Sequence, residues 1–253
     1  MVHFCIRLAG IPIGVTCQFP YTEIYCRDYI CDETAQVEVT VESEDILLER
    51  ERDTVHDNGS GQYTDRSACL YELSALLRKI SEALVSFNIL LLHGSAIAVD
   101  GYGYLFTARS GAGKSTHAAL WRQELMRSGH DVYMINDDKP FIKVTRNEIL
   151  VCGTPWSGKH CLDTNRMVPL HAIGKIEKSI TNLTTLLPKG EYWTTMIKQS
   201  YIPERPELAE RVLSMLQIII EKTPCCRISC NMEPAAAQIS WEMMSKKAGV
   251  FDE

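Results

Sequence analysis

Apolar and polar residues over the first sixty or so positions follow one another in the manner of strands. His3–Leu8 is apolar and rich in β-formers, and Ala9-Gly10-Ile11-Pro12 reads as a turn. Val37-Glu38-Val39-Thr40-Val41 alternates with period two, which predicts a half-buried strand. Asp57-Asn58-Gly59-Ser60-Gly61-Gln62 sets two glycines beside Asn and Asp, all tolerant of positive φ, and predicts a loop. That loop closes a β-rich N-terminal element at residues 1–62, and 63–253 reads as the main domain.

The period then lengthens. Leu70, Leu73, Leu76, Leu77, Ile80, Leu84 and Phe87 recur at steps of three and four, one apolar stripe of a helix that Asp65 or Ser67 would cap. The stripe reads as core. Ile89–Val99 is almost continuously apolar and predicts one buried strand. Asp100-Gly101 signals a hairpin, and Gly103–Thr107 is its returning strand. A helix carrying Ala118, Ala119, Leu120 and Leu125 ends near Ser128-Gly129, and the short strand Val132–Ile135 runs into Asn136-Asp137-Asp138. Phe141–Val144 and Ile149–Cys152 flank Arg146-Asn147 as a second hairpin, and Val168–Glu177 reads as a strand. Pro206–Lys222 and Pro234–Lys247 read as closing helices. This mixture predicts an α/β protein.

Composition narrows the function classes. Of 253 residues, 45% are apolar and 23% charged, the range of a globular protein rather than a disordered one. The net charge of −6 argues against a nucleic-acid binder, which would need a basic surface. No apolar run approaches the ~18 residues that span a bilayer, and Met1–Arg7 lacks a charged segment followed by an apolar one. The expectation is a cytoplasmic protein with no membrane partner. Ten cysteines include no Cys-x-x-Cys, and Cys225, Cys226 and Cys230 lack zinc-site spacing, so they read as buried, reduced thiols.

The segment richest in chemistry is Ser110-Gly111-Ala112-Gly113-Lys114-Ser115-Thr116, set between a predicted strand and a predicted helix. Glycines in that position let backbone N–H groups curl around phosphate oxygens, and the following helix directs its positive end at them. Lys114 would reach the terminal phosphates and Ser115 would offer its hydroxyl to Mg²⁺. The usual pattern has glycine where this chain has Ala108, a change accommodated if that residue keeps negative φ. Asp137 and Asp138 stand at the end of a core strand roughly twenty residues on. There one carboxylate can serve the metal while the other accepts a proton from a hydroxyl. His93-Gly94 precedes the hairpin that leads into the loop, which brings His93 toward the phosphates. Gly153-Thr154-Pro155-Trp156-Ser157-Gly158-Lys159-His160 is a second loop, with Trp156, Lys159 and His160 as candidate substrate-rim residues.

Together these segments resemble the catalytic domain of HPr kinase/phosphorylase over roughly residues 85–180, and in outline the nucleotide core of phosphoenolpyruvate carboxykinase. The shared features are His-Gly, a short Gly hairpin, Ser-Gly-x-Gly-Lys-Ser, a helix, and an apolar strand ending in Asp-Asp. The resemblance implies a P-loop core with mixed β-sheets that uses ATP and Mg²⁺. It implies Lys114 and Ser115 as phosphate and Mg²⁺ residues, Asp137 as the base toward a serine-like hydroxyl, Asp138 at the metal and His93 near the transferred phosphate. The family's Glu-Ile-Arg-Gly-type segment has no counterpart, and the first ~85 residues do not look like its regulatory domain. The closer likeness is to the family's shorter relatives, which include kinases for free serine and for serine in modified peptides. The family also contains homo-oligomers, which apolar C-terminal helices permit.

Three function classes follow. The first is a kinase moving the γ-phosphoryl of ATP to a serine-like hydroxyl, free or in a peptide or protein; the loop alone is equally compatible with ADP or pyrophosphate as donor. The second is a regulatory protein that binds nucleotide without transfer, for which Ala108 is the best support. The third is a carboxykinase acting on a dicarboxylate, with Arg109 and Arg166 as the available cations.

Overall fold

Val2–Leu8 forms strand β1 because alternate residues enter a core, and it pairs antiparallel with β2 (Ile11–Cys17) from Val2↔Cys17 to Leu8↔Ile11. The connecting turn is only Ala9-Gly10, both at positive φ, so Ile11 and Pro12 already belong to β2 rather than to the expected four-residue turn. The computed structural model describes residues 1–56, 68–109 and 111–246. The expected loop at 57–62 and the caps Asp65 and Ser67 lie outside the described residues.

Two compact units divide the chain, Met1–Leu84 and Val85–Glu253. The division falls after the Leu-striped helix, where the sequence pattern expects a boundary near residue 62. In the first unit α1 (Pro20–Tyr25) follows β2, β3 (Val37–Thr40) runs parallel to β2, and α2 (Ser43–His56) and α3 (Ala68–Leu84) complete it. Glu72 of α3 is fully buried. Its carboxylate accepts hydrogen bonds from the N–H groups of Gln18 (2.6 Å) and Phe19 (3.1 Å) and from Thr22 Oγ1 (2.5 Å). A buried charge is tolerated when its lone pairs are filled in this way, and here it ties the helix to the start of α1.

The second unit is a mixed α/β layer structure. Its elements are β4 (Ile89–Leu91), β5 (Ser95–Val99), β6 (Tyr102–Thr107), α4 (Lys114–Arg127), β7 (Val132–Asn136), β8 (Phe141–Val144), β9 (Ile149–Cys152) and β10 (Met167–Lys178). Then come β11 (Leu183–Leu186), α5 (Lys189–Gln199), α6 (Pro206–Lys222), β12 (Cys225–Cys230) and α7 (Pro234–Met244). Strand order is β4-β8-β9-β10-β6-β5-β7, with β12 also paired to β10 and β11 to β12. β10 runs parallel to β6 and β12, and the remaining pairs are antiparallel. It pairs with β9 through its first residues and with β6 and β12 further on.

Period-two alternation assigns the two faces. Ala96, Ala98 and Leu105 join the core beneath α5 and α6, with Met196, Val212 and Ile219. Ile97, Val99, Tyr104 and Phe106 join the opposite core with Trp121 of α4 and Met244 of α7. Cys225 and Cys226 of β12 are buried thiols on these two faces, and burial holds both well above the ordinary thiol range.

One expectation is corrected here. Ile89–Val99 is two strands, not one. β4 pairs with β8 and β5 with β6 and β7, and between them Leu92-His93-Gly94 leaves the ladder. Leu92 N–H donates to Pro140 O, His93 N–H to Gln199 O and Gly94 N–H to Asp138 O. Those partners, two on the 138–140 turn and one at the end of α5, satisfy amides that a continuous strand would have paired within the sheet.

Candidate functional site

The glycine-rich loop begins where β6 ends. Ala112 N–H donates to Arg109 O (3.1 Å), a tight turn, and Gly111 and Gly113 hold φ of 72° and 107°. A side chain at either glycine would meet nothing within 4 Å, so the backbone conformation and not crowding selects glycine there. Gly113 is the N-cap of α4 and Lys114 its first residue, so Lys114, Ser115 and Thr116 carry amides with no intrahelical partner. Ala108 is buried and keeps negative φ, which removes the strain its replacement of glycine would have implied. Ser110 lies outside the described residues.

Lys114 Nζ donates to Ala108 O at 3.5 Å, folded back over the loop it would serve. Its partial burial lowers its pKa below the ordinary lysine value. The carboxylates of Asp138 and Asp137 pull the other way, and Lys139 adds to the lowering. The acidic pair is therefore within electrostatic reach of the loop lysine, although the two segments are separated by α4 and β7.

Asn136 shapes the turn that presents those acids. Its Oδ1 accepts from the N–H groups of Asp138 (2.8 Å) and Lys139 (2.6 Å), and its Nδ2 donates to Thr154 O (2.9 Å) and Thr154 Oγ1 (3.0 Å). Asp137 is only 4% exposed. Ser95 Oγ donates to its Oδ1 at 2.7 Å, and Oδ2 has no hydrogen-bond partner among the described residues. Asp138 is half-buried. Burial pushes its pKa up, but His93 Nε2 at 3.2 Å and Lys139 Nζ at 3.3 Å outweigh that and hold it below the usual carboxylate range.

His93 reaches Asp138 because the chain leaves the sheet there, and Gly94 permits it. A Cβ on Gly94 would lie 2.7 Å from Leu105 Cδ1 and 2.8 Å from Phe106 O. A second close approach brings the 153–162 segment over the acids: a Cβ on Gly158 would stand 3.4 Å from Asp137 Oδ2. Gly153 passes so near Thr164 that a Cβ would sit 1.8 Å from its carbonyl oxygen.

Two cavities flank the loop, and Thr116 borders both. The smaller, about 380 Å³, lies between Gly111–Gly113 and the ends of β10 and β12, with Leu120, Ile176 and Met232 in its wall. The larger, about 760 Å³, has Ser115 and Asp137 in its lining together with Arg122, Met134, His160 and Leu162. Of the residues expected at the site, His93 contacts Asp138, Lys114 stands within electrostatic reach of Asp137 and Asp138, and Ser115 shares a cavity with Asp137. Trp156 is 6% exposed and packs inward, with its carbonyl oxygen accepting from Asn136 Nδ2, while Lys159 is exposed; neither lines either cavity. Arg109 is exposed and Arg166 stacks its guanidinium over Tyr133 at 4.8 Å. His160, read from the sequence with Trp156 and Lys159 as a substrate rim, lines the larger cavity. Asn136, Ser95 and Arg122 were given no role by spacing. Only Asn136, adjacent to the acidic pair, carried a usable signal, since Asn folds back on N–H groups two and three residues ahead.

The donors present suit a nucleotide with Mg²⁺. A hydroxyl at Ser115 and a carboxylate held ionised at Asp138 are hard oxygen ligands, and Mg²⁺ bound to phosphates takes only one or two protein ligands. Among the described residues no group of three or more His, Cys, Asp or Glu side chains is placed to hold a metal by itself. No described helix is long and apolar enough to cross a membrane.

No family model matches the chain, and no curated protein matches it. Among solved structures, the Hpr(Ser) kinase/phosphatase from Coxiella burnetii aligns with 60% of this chain and 95% of its own, at 12% identity and a TM-score of 0.36. A likeness that loose carries no argument, and function has to be read from the side chains.

Proposed function

We propose that the chain is an ATP-dependent phosphotransferase that moves the γ-phosphoryl group to a hydroxyl, serine-like in its chemistry. The observation that carries this reading is Asp137: a nearly buried carboxylate with one oxygen fixed by Ser95 and the other unpartnered, lining the same cavity as Ser115. The glycine-rich loop and the first amides of α4 hold the phosphates, with Lys114 released from Ala108 O to meet them. The base and ribose occupy the smaller cavity. Ser115 and Asp138 hold Mg²⁺, which when bound neutralises charge on the transferred group. The acceptor hydroxyl enters the larger cavity beside Asp137. Its oxygen bonds to the γ-phosphorus, the bond to the bridging oxygen breaks, ADP leaves, and the proton passes to Asp137 Oδ2. His93 and Lys139 keep Asp138 charged and leave Asp137 as the carboxylate free to take the proton.

Asp137→Asn tests the assignment. It keeps the hydrogen bond from Ser95 and removes the base. ATP affinity should stay within twofold while transfer falls by roughly 10²–10⁴-fold. Nucleotide binding followed by calorimetry and phosphorylated product followed by phosphorus NMR separate the two effects. Unchanged turnover in that variant sinks the assignment.

A further inference from the structure

We propose that the larger cavity selects a small hydroxy compound with an anionic group, carboxylate or phosphate, at the end remote from its hydroxyl, and that Arg122 holds that anion. The proposal rests on the phosphotransferase reading of the same site and names its acceptor class.

Ser115, Ala119, Arg122 and Met126 follow one another at steps of three and four, so a single face of α4 forms one wall of the cavity. Arg122 stands two turns from Ser115, about 10 Å along the helix axis. Ala119, Met126, Met134 and Leu162 give the lining its apolar part, beside the polar Thr116 and Gln123. The lining carries both signs. Asp137 shares the cavity with Ser115, and Arg122 lies two turns further along α4. Among the described residues Arg122 has no hydrogen-bond or ion-pair partner, whereas Arg127 on the same helix is paired with Glu124 at 2.6 Å. His160, from the 153–162 segment, lines the same space. An unengaged guanidinium lining a cavity is suited to a carboxylate or phosphate, which it can bind through two parallel N–H bonds. The volume, about 760 Å³, fits a compact molecule that reaches both Asp137 and Arg122 and exceeds what free serine could bridge. A hydroxyl at Asp137, an anion at Arg122 and a largely apolar link between them is the pattern complementary to this lining.

The test uses the full-length protein with ω-hydroxyoctanoate, its phosphate-ended counterpart and octanol as probes. Binding is measured by calorimetry with Mg-ADP present, and phosphorylation with Mg-ATP. The wild type should bind an anionic probe tighter than octanol by about 10- to 100-fold. Arg122→Gln should erase that preference and Arg122→Lys should restore part of it; Arg122 is exposed, so both variants should fold. Preference for one anionic probe over the other identifies the anion. An equal affinity for octanol and both anions, or a preference that survives in Arg122→Gln, overturns the proposal. So does efficient phosphorylation of a serine-containing peptide that Arg122→Gln leaves unaltered. Arg122-dependent binding with no phosphorylated product would sustain the anion pocket and refute the transfer reading. Transfer to octanol without any anion preference would do the reverse.

Discussion

His117 is the clearest case of a single residue whose surroundings dictate its chemistry. It lies one turn into α4, is 1% exposed, and its Nε2 meets Ser240 Oγ at 3.0 Å, where Trp121 Nε1 also donates at 2.8 Å. Burial lowers its pKa from 6.5 to about 4. The folded-state value lies below the ordinary one, so folding favours the neutral ring. Its contribution is fully present above 6.5 and is lost as the pH falls from there through about 4, a swing of about 3 kcal/mol. Urea unfolding at neutral pH and near pH 4 should show that swing in the wild type and a smaller one in His117→Gln. Equal pH dependence in the two proteins would contradict the assignment. The same residue shows why histidines near a phosphate loop need their surroundings known: His93 and His117 are both close in sequence to it, yet only His93 faces an acid.

At the scale of elements, what was legible depended on which force set the element. Pro206–Lys222 is α6 with the expected limits, because its apolar stripe and Pro at the first turn are local signals. β12 went unread because its apolar content is cysteine, and α2 because Ser43–His56 is too charged to show a stripe. The break at Leu92-His93-Gly94 was invisible for the opposite reason. A single His-Gly step inside an apolar run does not by itself end a strand, and the partners that end it, Pro140, Gln199 and Asp138, are distant in sequence. The same limit hid Arg122, whose place depends on two segments facing each other across a cavity. The glycine-rich loop and the acidic pair were legible since both are contiguous. Close approach yields an element-scale prediction. Gly153→Ala would put a Cβ 1.8 Å from Thr164 O and displace the segment over Asp137, costing about 3 kcal/mol or more. Gly111→Ala meets open space and should cost only the ~1–2 kcal/mol of a positive φ. Thermal melts of both variants decide it, and equal losses would count against the close approach.

For the whole molecule the governing fact is that each unit has a core of its own. The first depends on Glu72, whose loss would strand two amides and a hydroxyl in an apolar interior. Glu72→Ala should destabilise that unit by about 3 kcal/mol or more. Calorimetry should then show a low-temperature transition separated from a second one near the wild-type position, with nucleotide affinity retained below the second. A single transition displaced as a whole would mean the chain melts as one cooperative body. Within the second unit, β10 contributes successive stretches of one backbone to β9, β6 and β12. A change that broke this one backbone would therefore unseat three neighbours at once, where damage to an edge strand such as β4 would cost a single ladder.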